Sequence, residues 1–422
     1  MALSLDEWLD YQLRTHPQSI AMGLDRVQAV AQRLGLGHPG MQVITVGGTN
    51  GKGSTVAFIE AIALAAGLRV GAFTSPHLLR YNERVRIQGE EASDAALVNA
   101  FERIEDARAE IPLTYFEFGT LAALLVFEQS NLDLAVLEVG LGGKLDAVNI
   151  IDADVAVITT VDLDHQEYLG PDREAIGADK AGIFRAGKPC VLGERDPPSS
   201  VLRHAYEIGA FAIRAHADYL IDMRAHGWTW REPGYEIDLP MPLLSAPAQI
   251  ENAAAAIAAL RALPLDISNK AIASGIGKAR APGRLQVLRD NPELILDVGH
   301  NPQAADQVAA WLQAHPRRTR AVFSALRDKD IEALVERLDS HLESWHVAGI
   351  ADAGPRGMTG QELGSRLSPR VAPGKLHVHE SVAQAMSAAL AQSGQDERVL
   401  VFGSFHTVAD AMRADAGAVA GV

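Results

Sequence analysis

Lys52 sits among glycines in TVGGTNGKGST (Thr45–Thr55), and that stretch is where the sequence first offers chemistry. Small residues let backbone N–H groups curl around oxyanions, an ammonium meets them, and hydroxyls complete the shell. The spacing departs twice from the common phosphate loop G-x-x-x-x-G-K-[ST]. Val46 stands where the first glycine is expected, and Gly53 separates Lys52 from Ser54 and Thr55. An apolar run ends at Val46 and a helical pattern starts near Ser54. That order, strand, glycine loop and helix start, is the context a phosphate site requires. Lys52 is therefore read as the contact to β/γ-phosphates, with Ser54 or Thr55 bonding phosphate or magnesium. A glycine turn that merely contains a lysine is the competing reading. It gives the lysine and two hydroxyls at a helix start no purpose.

Other residues fall at strand ends. Glu138 closes the run LDLAVLEV and precedes Gly140, Leu141, Gly142 and Gly143, a place suited to Mg²⁺. The alternative is a solvated strand-end acid. DVAVITTV leads into Asp162, Asp164 and His165; His165 suits either a second metal or a structural role. Lys180, in EAIGADKAGIF, reads by itself as a surface helix lysine. Further on, LILDVGHNP places Asp297 and His300 just past a strand, where they suit nucleotide or transferred-phosphate contacts. Asn301 reads as a helix cap, and Arg284 lies beside Gly283.

The elements that must position these residues alternate. MQVITV, RVGAF, LDLAVLEV and DVAVITTV are apolar without alternation, as buried parallel strands are. STVAFIEAIALAAG, SDAALVNAFERIEDARAE and FGTLAALLVFEQS read as the helices between them. The pattern predicts an α/β chain whose N-terminal domain is a P-loop ATPase-type doubly wound sheet. YLIDM, GWTWRE and YEIDLP predict a small antiparallel addition. A helix is expected to end near Ala281, stopped by Pro282 and Gly283. A smaller, Rossmann-like α/β domain follows, with strands ELILDVG, RAVFSAL, SWHVAG, KLHV and RVLVFGS. The expected domains are 1–283 and 284–422, with ligands in a cleft between them and closure about Gly283.

Composition bounds the partners. The chain has 422 residues, of which 48% are hydrophobic and 22% charged, as in a globular protein of two or three domains. A net charge of −15 argues against nucleic-acid or anionic-membrane partners. One cysteine, Cys190, excludes an intrachain disulfide and fits a reducing compartment. MALSLDEWLDYQL carries acids and no long apolar run, so neither a signal peptide nor a membrane anchor is expected. The expected location is cytoplasmic.

TNGKGS, TSPHL, YFEFGTLAAL, LEVGLGGKLDAVN, DHQEYLG, KAGIF, APGR and DVGHNP occur in that order over nearly the whole chain. Each is weak alone; together they closely resemble the bacterial folylpolyglutamate synthase/dihydrofolate synthase family of the Mur ligase superfamily. The delayed hydroxyl after Lys52 is that family's form of the phosphate loop. The resemblance implies that Thr49, Asn50, Gly51, Lys52, Gly53 and Ser54 cradle ATP, with Asn252, Arg284 and Asp297 also binding it. It implies two Mg²⁺ ions, one on Ser75 and Glu138 and the second on His165. Lys180 matches a lysine that the family carbamylates, which together with Lys52 and His300 makes the expected catalytic set. Gly23, Leu24 and Asp25, then Thr114, Tyr115, Phe116 and Glu117, then Leu145, Asp146 and Ala147 resemble the pterin-substrate surface. Lys144 and Val148 depart from the family's usual Arg and Thr, and Lys144 keeps the charge without the bidentate fork.

The implied activity joins L-glutamate to dihydropteroate and to reduced folates by way of an acyl phosphate, in a monomer that uses ATP. Different chemistries compete with it: a cell-wall Mur ligase, a single-function folylpolyglutamate synthase, a P-loop kinase or switch, and a non-catalytic nucleotide-binding module. GLDRV and YFEFGT favour a folate acid over a nucleotide-sugar one.

Overall fold

The protein is described from a computed structural model, which covers residues 3–16, 20–37 and 41–420. It forms two compact units. The first runs to Leu243 and resumes over Gln249–Arg280; the second takes Leu244–Ala248 and everything from Ala281.

In the first unit the strands are β1 (Gln42–Gly47), β2 (Val70–Phe73), β3 (Val85–Ile87), β4 (Glu90–Glu91), β5 (Leu134–Glu138), β6 (Val155–Ile158), β7 (Pro189–Leu192) and β8 (Phe211–Arg214). Among the described residues they form one sheet in the order β4-β3-β2-β5-β1-β6-β7-β8. Pairing is parallel from β2 through to β8 and antiparallel at β2–β3 and β3–β4. The continuous apolar runs lie at the centre. β5 and β6 are buried at every position, as a sheet covered on both faces requires. The strands that the pattern does not announce are β3, β4, β7 and β8. Most of them lie towards the edges, where burial is partial; β8 is buried at no position.

Helix Tyr115–Glu128 is apolar on nearly every side and correspondingly buried, with Phe118, Leu121 and Phe127 in the core beside Phe73 and Phe101. A second, antiparallel sheet in the order β11-β10-β9 is made by β9 (Leu220–Arg224), β10 (Gly227–Glu232) and β11 (Tyr235–Leu239). The Trp230 indole N–H donates to the Ala254 carbonyl at 3.2 Å, seating this sheet on helix Gln249–Arg261.

The second unit contains β12 (Gln286–Asp290), β13 (Glu293–Asp297), β14 (Thr319–Phe323), β15 (Ser344–Ala348), β16 (Leu376–His379) and β17 (Arg398–Phe402), ordered β12-β13-β17-β14-β15-β16. The five strands expected from sequence are parallel neighbours, and their core is packed by Phe323, Trp345 and Phe402. β12 is a correction: it joins antiparallel at the edge where sequence offered only a boundary. Its signal is masked because Val287 is exposed and the register shifts between Val287 and Arg289. The helix expected to end near Ala281 stops at Lys278, since Ala279 already has extended backbone (ψ 134°). Among the described residues no helix is long and apolar enough to cross a membrane.

Candidate active site at the phosphate loop

β1 delivers the chain to Gly48, and helix Lys52–Ala65 begins directly after Gly51. Both glycines have positive φ, 144° at Gly48 and 86° at Gly51. A side chain on Gly51 would place Cβ 2.4 Å from Asn252 Oδ1. The loop is tied to the segment after β6. The Thr49 amide donates to the Thr160 carbonyl at 2.7 Å, the Asp162 amide to Thr49 Oγ1 at 3.0 Å, and Thr159 Oγ1 to the Asn50 carbonyl at 2.6 Å. Lys52 Nζ folds back on its own loop, donating to the Gly48 and Thr49 carbonyls at 3.0 and 3.2 Å. Behind it, the Ser54 and Thr55 hydroxyls are buried and have no hydrogen-bond partner. Orphaned hydroxyls at a helix start, with the helix dipole behind them, fit a phosphate or its metal ion.

Gly51→Ala is expected to weaken ADP binding at least about tenfold, since alanine meets both the left-handed backbone and Asn252. Calorimetric titration reads this directly; wild-type affinity in the variant would take the loop out of the nucleotide site.

Glu138, at the carboxyl end of β5, is buried and accepts from the Ser75 amide at 3.0 Å. The two residues that the resemblance gave to one metal are thus neighbours. His165 adopts a left-handed conformation (φ 51°) at the start of helix Gln166–Leu169, uncommon for a residue with a side chain. Among the described residues no three or more His, Cys, Asp or Glu side chains are grouped to hold a metal. A magnesium ion here would take one or two protein ligands and fill its shell with phosphate oxygens and water, as Mg²⁺ commonly does.

Lys180 corrects the isolated sequence reading. It is 4% exposed rather than on the surface. Gly143 makes room for it, because a Cβ there would lie 2.7 Å from the Lys180 carbonyl. Burial first, then the nearby Lys52 ammonium, pull its pKa down to about 7 against the attraction of Asp179, Asp164 and Asp146. Asp146 is also buried. Its carboxylate accepts from the amides of Leu141 at 2.8 Å and of Gly140 and Val148 at 3.0 Å, which pins the glycine turn after Glu138. Burial outweighs those bonds and raises its pKa to about 7.

Two of the three segments that resemble a pterin surface are linked by an ion pair. Arg26, in the helix that starts at Asp25, reaches Glu117 at 3.0 Å, and Glu117 also caps its own helix through Thr114. Sequence reasoning did not single out Arg26, Asp179 or the Thr159–Thr160 pair. The threonines left a trace, as TTVD after an apolar run, and Arg26 lies inside GLDRV.

In the second unit, Asp297 accepts from the Leu285 and Gly299 amides at 2.9 and 2.7 Å, and burial raises its pKa despite nearby Arg284. The Arg284 guanidinium lies 5.3 Å from the centre of the Phe405 ring. His300 Nδ1 lies 2.9 Å from the Val298 carbonyl, and Asn301 caps helix Pro302–Ala314 as expected.

Comparisons with known proteins agree with one another. Residues 46–260 match the Mur ligase middle domain and residues 283–405 the Mur ligase glutamate ligase domain. The chain is 47% identical over 414 residues to the dihydrofolate synthase/folylpolyglutamate synthase of Escherichia coli, covering 97% of this chain and 95% of that one. A solved structure of E. coli FolC in complex with DHPP and ADP superposes with a TM-score of 0.94 at 45% identity, covering 99% of each chain. A bifunctional folylpolyglutamate synthase/dihydrofolate synthase with Mn, AMPPNP and L-glutamate bound gives 0.91 at 44%, covering 98% of each.

Proposed function

The chain belongs to the dihydrofolate synthase/folylpolyglutamate synthase family of Mur ligases, and from that premise we propose how its residues divide the work of ATP-dependent glutamate ligation. It joins L-glutamate to dihydropteroate and to folates. The observation that carries the reading is the pair of buried, unpartnered hydroxyls, Ser54 and Thr55, behind Lys52.

Residues 1–283 are assigned the ATP cradle and the acid substrate, and 284–422 the glutamate-ligase part. Thr49 to Ser54 hold the phosphates and Asn252 supports the cradle; Arg284 and Asp297 serve the nucleotide, and His300 the transferred phosphate. Gly23–Asp25, Thr114–Glu117 and Leu145–Ala147 hold the pterin. One Mg²⁺ is assigned to Ser75 and Glu138, and a second to His165 beside a carbamylated Lys180. When bound, the metal neutralises charge spreading over the γ-phosphoryl group.

A carboxylate is a poor acyl donor. Its oxygen first takes the γ-phosphoryl group, releasing ADP; the glutamate amine then attacks the acyl carbon and phosphate leaves. Lys52 swings its ammonium from the loop carbonyls to the transferring group, so the cation is in place before charge develops. Asp146 holds the glycine turn 140–143 rigid, which keeps Glu138 aimed. No nucleophilic side chain is needed, because positioning and electrostatics lower the barrier. The protein is proposed to act as a cytoplasmic monomer on small molecules, without nucleic acid or membrane.

Sustained ADP release, beyond one equivalent per enzyme, is expected only when an acid substrate and L-glutamate are both present, with dihydropteroate and reduced folate each serving as acid. Release indifferent to glutamate would mean a kinase or switch. Turnover of reduced folate alone would reduce the protein to a single-function synthase.

A further inference from the structure

Arg84 is 8% exposed, and among the described residues no carboxylate pairs with it. Its neighbours in sequence are all provided for. Arg80 pairs with Glu91 and Asp94, Arg86 pairs with Glu60 at 2.8 Å, and the Glu83 carboxylate accepts from the amides of Leu78, Leu79 and Arg80. Arg84 makes one side-chain hydrogen bond, from Nε to His77 Nδ1 at 2.8 Å, and its guanidinium lies 5.4 and 5.3 Å from the ring centres of Tyr81 and Tyr115. Two aromatic faces offset only part of the cost of burying a cation. A guanidinium fork with unspent donors, packed against two rings, matches a carboxylate.

Its position says which one. The Arg84 carbonyl accepts from the Thr74 amide at 2.9 Å, fixing it at the carboxyl end of β2, beside Ser75. The Ser75 amide in turn bonds Glu138. Tyr115, whose ring centre lies 5.3 Å from the guanidinium and 5.6 Å from that of Tyr81, belongs to the segment assigned to the pterin. Arg84 therefore adjoins the proposed metal-binding pair through its backbone and the proposed pterin surface through its guanidinium, the region where the end of the acid substrate that will be phosphorylated has to lie.

We propose that Arg84 binds the reacting carboxylate of the acid substrate, the group that dihydropteroate and folates have in common as acyl donors. The inference rests on the substrate assignment above. It makes Arg84 a specificity residue for acid over neutral ligands and a clamp that aims the carboxylate oxygen at ATP.

The test compares dihydropteroate with its primary carboxamide, which has the same rings and no charge, by calorimetry in the presence of ADP and Mg²⁺. The unaltered protein should prefer the acid by about 30-fold, the scale of a bidentate charge-assisted pair. Arg84→Gln should bind the two alike. Arg84→Lys keeps the charge and loses the fork, so a preference of a few-fold should remain; it also serves if the Gln variant does not fold. An Arg84→Gln protein that keeps the full preference, or that weakens both ligands equally, would limit Arg84 to packing its tyrosines and overturn the inference. An unaltered protein that binds the carboxamide as well as the acid overturns it too. Binding of neither ligand would instead bring down the substrate assignment, and this inference with it.

Discussion

Lys52→Ala is expected to slow ligation by about 10³-fold or more while leaving the melting temperature within a few degrees of its original value. The rate loss follows from removing the one loop ammonium that can follow the γ-phosphoryl group, at a place where a preorganised charge is worth several kcal/mol. The small stability effect follows from its bonds: Nζ donates to two carbonyls of its own loop, at 3.0 and 3.2 Å. A second consequence is electrostatic. The Lys52 charge helps to hold the Lys180 pKa down, so the variant should need a higher pH for Lys180 to become neutral. ADP release and circular dichroism on the same preparation decide the matter. Near-normal turnover would remove Lys52 from the phosphate site.

Lys180→Ala is expected to cost about 100-fold or more in turnover, with partial recovery on adding a small carboxylate. Carbamylation joins the neutral amine nitrogen to CO₂ carbon and releases one proton, so the site must first disfavour the ammonium. Burial and Lys52 do that, bringing the pKa to about 7. An anionic carbamate then suits a magnesium neighbour, whereas an ammonium would repel it.

The linkage has a definite sign. The folded pKa lies below the unfolded value of 10.5, so the unfolded chain binds more protons between about pH 7 and 10.5. Stability from this group is complete above that window and is lost as pH falls towards 7. Asp146 works in the opposite direction and in a lower window. Its folded pKa is raised from 3.8 to about 7, so its contribution is complete below 3.8 and fades as pH rises to 7. Thermal unfolding should therefore show Lys180→Ala lacking the gain in stability that the unaltered protein makes above pH 7. Mass spectrometry under CO₂ that finds an unmodified lysine, together with an active Lys180→Ala, would take this residue off the catalytic list.

Local physics wrote much of the fold into the sequence. The runs at β1, β2, β5 and β6 are mostly apolar because both faces of a parallel sheet are covered, and that property is visible in a few residues. The glycine loop before Lys52 was equally legible, since positive backbone angles at Gly48 and Gly51 call for residues without a side chain and leave glycines as their mark. Edge strands such as β8 and β12 were not legible. They are half-exposed, and partners far away in the chain define them.

The site divides in the same way. Residue types and order placed Lys52, Ser54 and Glu138 at strand and helix ends. Only the tertiary structure decided that Lys180 is buried, that it feels Lys52 and Asp146, and that the Arg84 guanidinium packs beside two tyrosines without a carboxylate. Burial of a charge is the sum of packing from segments distant in sequence. No local pattern encodes that sum, because a helix that carries a lysine reads the same whether water or a glycine turn lies against it.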